Sequence, residues 1–423
     1  MRCLFVIFWL LSLAPARGQQ LRLYGEAGTE AHVTNANPDS PLNPGDILDI
    51  QRVTDSTDVT LFGDVTPDDK RWKFKTKLRG SNEWQHDASF KFEVDELSFQ
   101  YSVTSWLDLR IGRQIERWGT GYAWNPTGVV NPRKNPADPN DRRNALRGVD
   151  MVAADILAKG WQITLLGTPE IAWTGKDGRH LLSTGWAARA YRLIKRTDVA
   201  LTASGGNGLP NSEGLSLARV FGNSLELHGE AAYFSDTVRF LPREQFLVAT
   251  RRPHTEVLLG GQYTFRGNVN VVGELYHAGQ GLSGREWNDF RGFVGSAQQS
   301  LLNGNPADFI LASAQFTPLE MSKNYSFLRV AAPLPFQKLQ LETIVITSLR
   351  DGSSLVRPGI SRRIGSNWSV YCIYSQFTGS AGTEFGNIQI RRSTDIGIRY
   401  HFNLGERSGQ KKARATAEAA PGE

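Results

Sequence analysis

Cysteine is nearly absent from this chain. Of 423 residues only Cys3 and Cys372 are cysteine, and Cys3 falls inside an apolar leader, so the mature chain carries a single thiol. That excludes an intrachain disulfide and any metal site built from several cysteines. Long hydrophobic runs are also missing: beyond residue 20 nothing approaches the eighteen or so continuous apolar residues of a membrane-spanning helix. Helical periodicity is weak, with residues 286–302 the one moderate candidate. An excess of one charge is lacking too, although the pI of about 9.3 first suggests it. Arg2 and Arg17 lie in the leader and the segment after Phe402 carries one further net positive charge, so the body keeps +3 of the formal +6. A balance that small over a body of this length argues against nucleic acid as a partner.

The leader is the first positive feature. Met1 and Arg2 precede the run CLFVIFWLLSLA, then Pro15 and the small-x-small triplet Ala16, Arg17, Gly18. A basic start, a short apolar core and a small-residue exit predict an export signal over residues 1–18, cut after Gly18.

The dominant period in the remainder is two. In TDIGIRYHF, Ile396, Ile398, Tyr400 and Phe402 share one face while Asp395, Arg399 and His401 share the other. The stretches 224–234, 255–265 and 106–112 alternate in the same way, setting Leu225, Leu227, Val257, Leu259, Leu107 and Leu109 against Glu226, Glu230, Glu256, Asp108 and Arg110. Such alternation predicts strands with one apolar and one wet face. Connections alternate as well. Tight ones fall near Thr104, Lys159, Lys195, Gly222, Arg266 and Ser366; long ones near 32–56, 116–147, 169–183, 236–253, 278–307 and 378–393. Strands of about 9–11 residues cross a bilayer at a tilt, and a closed barrel satisfies every backbone group without a long apolar run. Aromatics cluster towards strand ends, among them Trp72, Trp106, Trp161, Tyr233, Trp368, Tyr400 and Phe402, as in interfacial girdles.

The fold class expected is therefore all-β: a transmembrane antiparallel β-barrel over residues 19–402, with a disordered tail over 403–423. About nineteen segments alternate, but an even number is required for a bacterial single-chain barrel, so about 18 strands are expected, within 16–20, with the surplus assigned to 285–370.

Two stretches carry candidate chemistry. In RWKFKTKLR, Arg71, Lys73, Lys75, Lys77 and Arg79 occupy one face and Trp72, Phe74 and Leu78 the other. Five cations on one strand face suit a water-filled lumen, where a single sign of charge concentrates the opposite ion; Asp58 and Asp64 on the preceding strand are candidate counter-charges. The second stretch is 116–147, ERWGTGYAWNPTGVVNPRKNPADPNDRRNALR. Pro126, Pro132, Pro136 and Pro139 exclude a helix interior or a central strand. A charged, proline-stiffened loop is expected to fold into the barrel and narrow it, with Asp138 and Asp141 facing Arg142, Arg143 and Arg147 across the opening. Asp138, Asn140 and Asp141 have calcium-ligand chemistry but not EF-hand spacing, and no metal or cofactor is expected.

The run LRIGRQIERWGTGYAWNPTGVVNPRKNPADP from Leu109, with the later YSFLRVAAPLPFQKLQLETIVITSLRDGSSLVRPGISRRIGSNW and GSAGTEFG, resembles porin-like outer-membrane families of Gram-negative bacteria. The layout is similar to the alginate-export porins, a resemblance that implies a basic lumen for a polyanionic polysaccharide. The inward positions of Glu226, Glu230, Glu256 and Glu274 depart from that pattern.

An enzyme is not expected. His32, His86, His180, His228, His254, His277 and His401 are scattered, and no GxSxG occurs. Glu226 and Glu230 lie on one strand face, whereas a glycosidase pair flanks its bond from two sides. The expected function is a passive channel for small or charged solutes in the bacterial outer membrane. Arg71 to Arg79 and Arg110 would line its pore and the 116–147 loop would constrict it, with membrane lipid and small or anionic solutes as partners. The rival expectations are an exporter of an anionic polysaccharide and a plugged barrel acting as a surface binding protein.

Overall fold

The computed structural model describes residues 19–407, apart from 85–88, 131–132, 143–144, 175–177, 207–208, 244–245 and 335–337. The expected export signal (1–18), Arg143 and residues 408–423 lie outside the described residues. Eighteen antiparallel strands form one closed sheet. They are β1 (Gln19–Ala36), β2 (Val53–Pro67), β3 (Trp72–Trp84), β4 (Ser89–Thr104), β5 (Leu107–Gln114) and β6 (Val149–Ala158). Then follow β7 (Trp161–Thr174), β8 (Gly178–Ile194), β9 (Thr197–Gly206), β10 (Ser212–Phe221), β11 (Leu225–Arg243) and β12 (Phe246–Thr264). The last are β13 (Asn270–Ala278), β14 (Asn324–Leu334), β15 (Leu339–Ser348), β16 (Ser354–Ile364), β17 (Trp368–Thr378) and β18 (Ile390–Arg407). Each strand pairs with its sequence neighbours, and β1 closes the ring on β18, from Leu21 opposite Arg407 to Ala36 opposite Ile390. With no free edge, the ladder satisfies its own backbone donors and acceptors.

Period-two alternation sorts the side chains across this wall. Leu259, Leu275 and Ile396 point outward with more than half of their surface exposed, while the intervening Glu256, Glu274 and Asp395 are buried within. At the end with tight turns, outward aromatics meet one another: Trp368 lies tilted on Tyr400 of the next strand at 4.7 Å, Trp72 stacks on Phe99 of the next strand at 6.2 Å, and Tyr263 meets Phe265 edge-on at 4.6 Å. Gly25 belongs to this girdle by what it lacks. A Cβ there would stand 2.7 Å from the Phe402 ring, so the bare backbone lets the ring lie across β1.

The structure revises the expected boundaries in several places. The nineteen alternating segments resolve to eighteen strands, and the start of the doubtful 285–370 region holds helices α1 (Gly284–Leu302) and α2 (Ala307–Gln315). α1 was the one helical candidate in the sequence; α2 was not expected. Ser283 and Glu286 form a capping box at the start of α1. Segments 169–183 and 236–253, expected as loops, are instead extensions of the β7–β8 and β11–β12 hairpins beyond the bilayer-sized core. β18 continues through Asn403 to Arg407, past the boundary set at Phe402. Among the described residues no helix is long and apolar enough to cross a membrane; the strands make the crossing.

Candidate functional site

The segment between β5 and β6, residues 115–148, follows the shortest strand of the barrel and hydrogen-bonds to side chains from β3, β11, β12, β13, β15 and β16. A loop that touches strands all round a closed sheet lies inside it. Two tryptophans turn it inward. Trp118 packs on Met151, Ala153, Leu166 and Ala187 of β6–β8. Trp124 stacks on Tyr276 at 4.9 Å and meets Tyr325 and Phe327 of β14. Burying such rings is the largest apolar gain available to the loop.

Polar anchors then fix its register. Glu230 of β11 accepts the backbone N–H groups of Thr120, Gly121 (2.6 Å) and Thr127 (2.9 Å), together with the Thr127 hydroxyl at 2.7 Å. Glu274 of β13 accepts the N–H groups of Tyr122 and Ala123 (2.9 Å) and lies 2.8 Å from His228 Nε2. Gly119 takes φ +90°, and a Cβ there would press to 2.9 Å from a Glu230 oxygen, so the WGTG sequence permits this approach. Glu256 of β12 accepts Arg133 at 2.7 Å and the Tyr276 hydroxyl at 2.8 Å. Lys134 Nζ returns to Gly121 O at 2.6 Å; burial holds that ammonium below its ordinary value, against the pull of Glu230 and Glu274.

The residues predicted for the site fall as follows. Arg71 is exposed at the tight turn, 3.9 Å from Asp69. Lys73 and Lys75 are half-buried, Lys75 opposite Asp64 in the β2 register. Lys77 is buried, its Nζ 3.0 Å from Leu146 O of the loop and 3.5 Å from Asp95. Arg79 holds Asp95 at 3.1 Å and Glu93. A β-bulge opposite Lys77 and Leu78 lets both Asp95 and Glu96 turn inward, where strict alternation would expel one. The basic stripe therefore meets carboxylates of β2 and β4. Of the two expected counter-charges, Asp58 pairs instead with Arg399 at 2.9 Å. Arg110 is held by Asp155 (2.6 Å), Gln114 and Glu116.

Among the described residues the expected transverse field within the loop is not formed. Asp138 accepts the Arg142 N–H at 3.2 Å, and Asp141 caps the N–H groups of Ala145 and Leu146 at 2.7 and 2.8 Å, so both acids sit beside Arg142 rather than across from it. Arg142 reaches to Glu342 of β15, which Arg329 also holds at 2.7 Å, and Arg147 pairs with Glu93. Turns at Asn135-Pro136 and Asp138-Pro139 fold the loop on itself, and the wall supplies the groups that oppose Arg142 and Arg147. The anchoring duty of Glu230, Glu256 and Glu274 was missed. Their inward parity was legible, but the backbone donors they hold come from another segment.

Three adjoining spaces remain around the loop. The largest, about 850 Å³, lies between the loop and β1–β3 and β16–β18; it carries Glu30, Asp138, Asp141 and Asp395 beside Arg117, Arg133, Arg142 and Arg357. It shares Asn140, Arg142, Tyr371 and Ile373 with a 320 Å³ space containing Glu26, Arg399 and His401. It shares Glu116, Arg117 and Trp118 with a 370 Å³ space against β4–β8. No group of three or more metal-ligating side chains occurs among the described residues.

Neither a family model nor a curated protein matches this chain. Among solved structures it is similar to Pseudomonas aeruginosa OccK11 (OpdR), with a TM-score of 0.54 and 10% identity over 91% of this chain and 96% of that one. The likeness shows a shared barrel fold. A triple mutant of the Rhodopseudomonas blastica porin also aligns, over 90% of this chain and all of its own, at 10% identity and a TM-score of 0.44. At such identities the likeness extends to the barrel fold and not to any solute.

Proposed function

We propose that this protein is an outer-membrane channel for passive passage of small charged solutes, with the 115–148 loop as its constriction. The observation that carries this reading is the set of adjoining spaces left when the loop is seated across the lumen, the largest of about 850 Å³ and lined by both signs of charge. A fixed constriction with facing charges selects by size and by charge, because field lines concentrate where low-dielectric walls narrow the water. In this reading Arg71, Lys73, Lys75, Lys77, Arg79, Arg110, Asp138, Asp141 and Arg142 line or frame the path. Lys77, Arg79 and Arg110 are engaged by carboxylates, so selectivity rests on local charge order rather than a uniform basic wall. That compensation favours small solutes over the long polyanion suggested by the resemblance to alginate-export porins. No reaction is assigned.

Single-channel recording on the purified protein in planar bilayers tests the proposal. Steady conductance with an ion selectivity that shifts in Lys73→Gln/Lys75→Gln supports it. A sealed bilayer at all voltages would mean a plugged barrel.

A further inference from the structure

Most arginines inside the barrel are spoken for. Arg79, Arg110, Arg142, Arg329, Arg357 and Arg399 all hold a carboxylate. Arg117 and Arg189 differ: among the described residues neither guanidinium has a hydrogen bond or ion pair. Arg189, on β8, is half-buried; its Nε is shut off from solvent with no acceptor, and its guanidinium lies 4.9 Å above the Tyr191 ring. Arg117 stands at the start of the inward loop and is exposed. Both line the same 370 Å³ space on the tight-turn side of the loop.

The acids around that space are occupied. Asp155 accepts Arg110 at 2.6 Å and Thr164 Oγ1 at 2.6 Å; Glu116 holds Arg110; Asp108 accepts Gln100 at 3.1 Å. A guanidinium fork without a carboxylate, such as that of Arg189, is costly to keep half-buried unless an anion visits it, and the exposed Arg117 adds a second fork to the same wall. The space also shares Glu116, Arg117 and Trp118 with the main cavity as common wall.

We infer that Arg117 and Arg189 form a binding subsite for a small tetrahedral oxyanion, of the phosphate or phosphate-monoester class, on the tight-turn side of the constriction. The inference rests on the channel reading and gives it a ligand class. Two forks from different elements match an anion whose oxygens point in several directions. A planar carboxylate fills one fork and leaves the other bare. Gln162 adds an amide to the same wall. The three cations and three acids around the space balance, so attraction at long range is weak and recognition comes from directed hydrogen bonds.

The test is chloride current through single channels while inorganic phosphate is added from the tight-turn side. Phosphate is expected to block the wild type in discrete events, and Arg189→Gln and Arg117→Gln are each expected to raise the half-blocking concentration about tenfold, the loss that removing a charge-assisted contact brings. Arg189→Lys, which keeps the charge without the fork, should recover only part of the block. Gel mobility that shifts on heating confirms that each variant is a folded barrel. Block by phosphate that is equal in wild type and variants, or block by acetate as strong as by phosphate, would overturn the assignment. If the protein conducts no chloride at all, the channel reading fails. Equilibrium dialysis of phosphate against detergent-solubilised wild type and Arg189→Gln then decides the subsite by itself: binding lost in the variant supports it, and no difference removes it.

Discussion

At the scale of single residues, the constriction depends on carboxylates that are not themselves in the path. Glu230 and Glu274 collect successive backbone N–H groups of residues 120–127, and each hydrogen bond to a charged acceptor is worth about 1.5–3 kcal/mol. Glutamine at either position keeps one acceptor but turns an amide N–H₂ towards other donors. Glu230→Gln combined with Glu274→Gln should therefore loosen the loop, giving larger unitary conductance and noisier open-channel current. Unchanged traces would show that the tryptophans alone seat it. Asp138 makes a pH-dependent prediction. Burial pushes its carboxyl above the ordinary 3.8, against the pull of Arg142 and Arg357. A folded-state value above the unfolded one means that protonation favours the seated loop. That contribution is full below about 3.8 and is lost as pH rises through the folded value. Protonation also removes a negative charge from the main cavity, so acidification from neutral pH should shift the reversal potential towards anions. The shift should be smaller in Asp138→Asn.

At the scale of elements, the outer mouth carries a folded body of its own. Trp287, Phe290, Phe293 and Val294 of α1 bury against Phe309 and Ala312 of α2, Leu42 of the first long loop and Leu241 of β11. Arg350 stacks on Trp287 at 3.8 Å, and the Trp287 indole N–H donates to Gly382 O at 3.2 Å, tying the helices to two further loops. Phe290→Ala removes the centre of this packing at a cost of about 3–5 kcal/mol. The expected outcome is rapid proteolytic cleavage within 279–323 from a barrel that still resists detergent, because the wall's ladder does not pass through the helices. The same region shows what was legible from the sequence. Strands announced themselves by period two, and the tight turns near Thr104, Lys159 and Lys195 fell where expected, since local alternation and turn chemistry are properties of short windows. The bulge at Asp95 was hidden because VDE breaks alternation by a single residue. The β11–β12 extension around residues 236–253 read as loop because, beyond the membrane, neither face must be apolar. The inward turn of 115–148 was legible from its prolines. Its anchors were not, because a carboxylate on β11 and an N–H in the loop are more than a hundred residues apart.

At the scale of the whole molecule, the wall is one sheet whose outward positions meet hydrocarbon and whose inward positions meet water, and depth along the barrel should set the cost of any outward charge. Leu275 lies mid-strand on β13 and more than half exposed, next to the inward anchor Glu274; Phe265 lies at the end of the neighbouring strand, within the aromatic girdle. Arginine at a lipid-facing midplane position costs about 2–4 kcal/mol, falling to about 0–1 near the interface. Leu275→Arg is thus expected to lower the unfolding free energy in lipid vesicles by several times the amount that Phe265→Arg does. Conductance should stay near the wild-type value in both, since neither side chain enters the lumen. The comparison isolates the membrane from packing, because both positions lose a large apolar side chain and gain the same cation. Equal destabilisation would place the two residues at one depth and contradict the tilt and girdle assigned to the strands. A change in ion selectivity in Leu275→Arg would put that residue inside, and with it invert the face assigned to Glu274 and the anchoring of the loop.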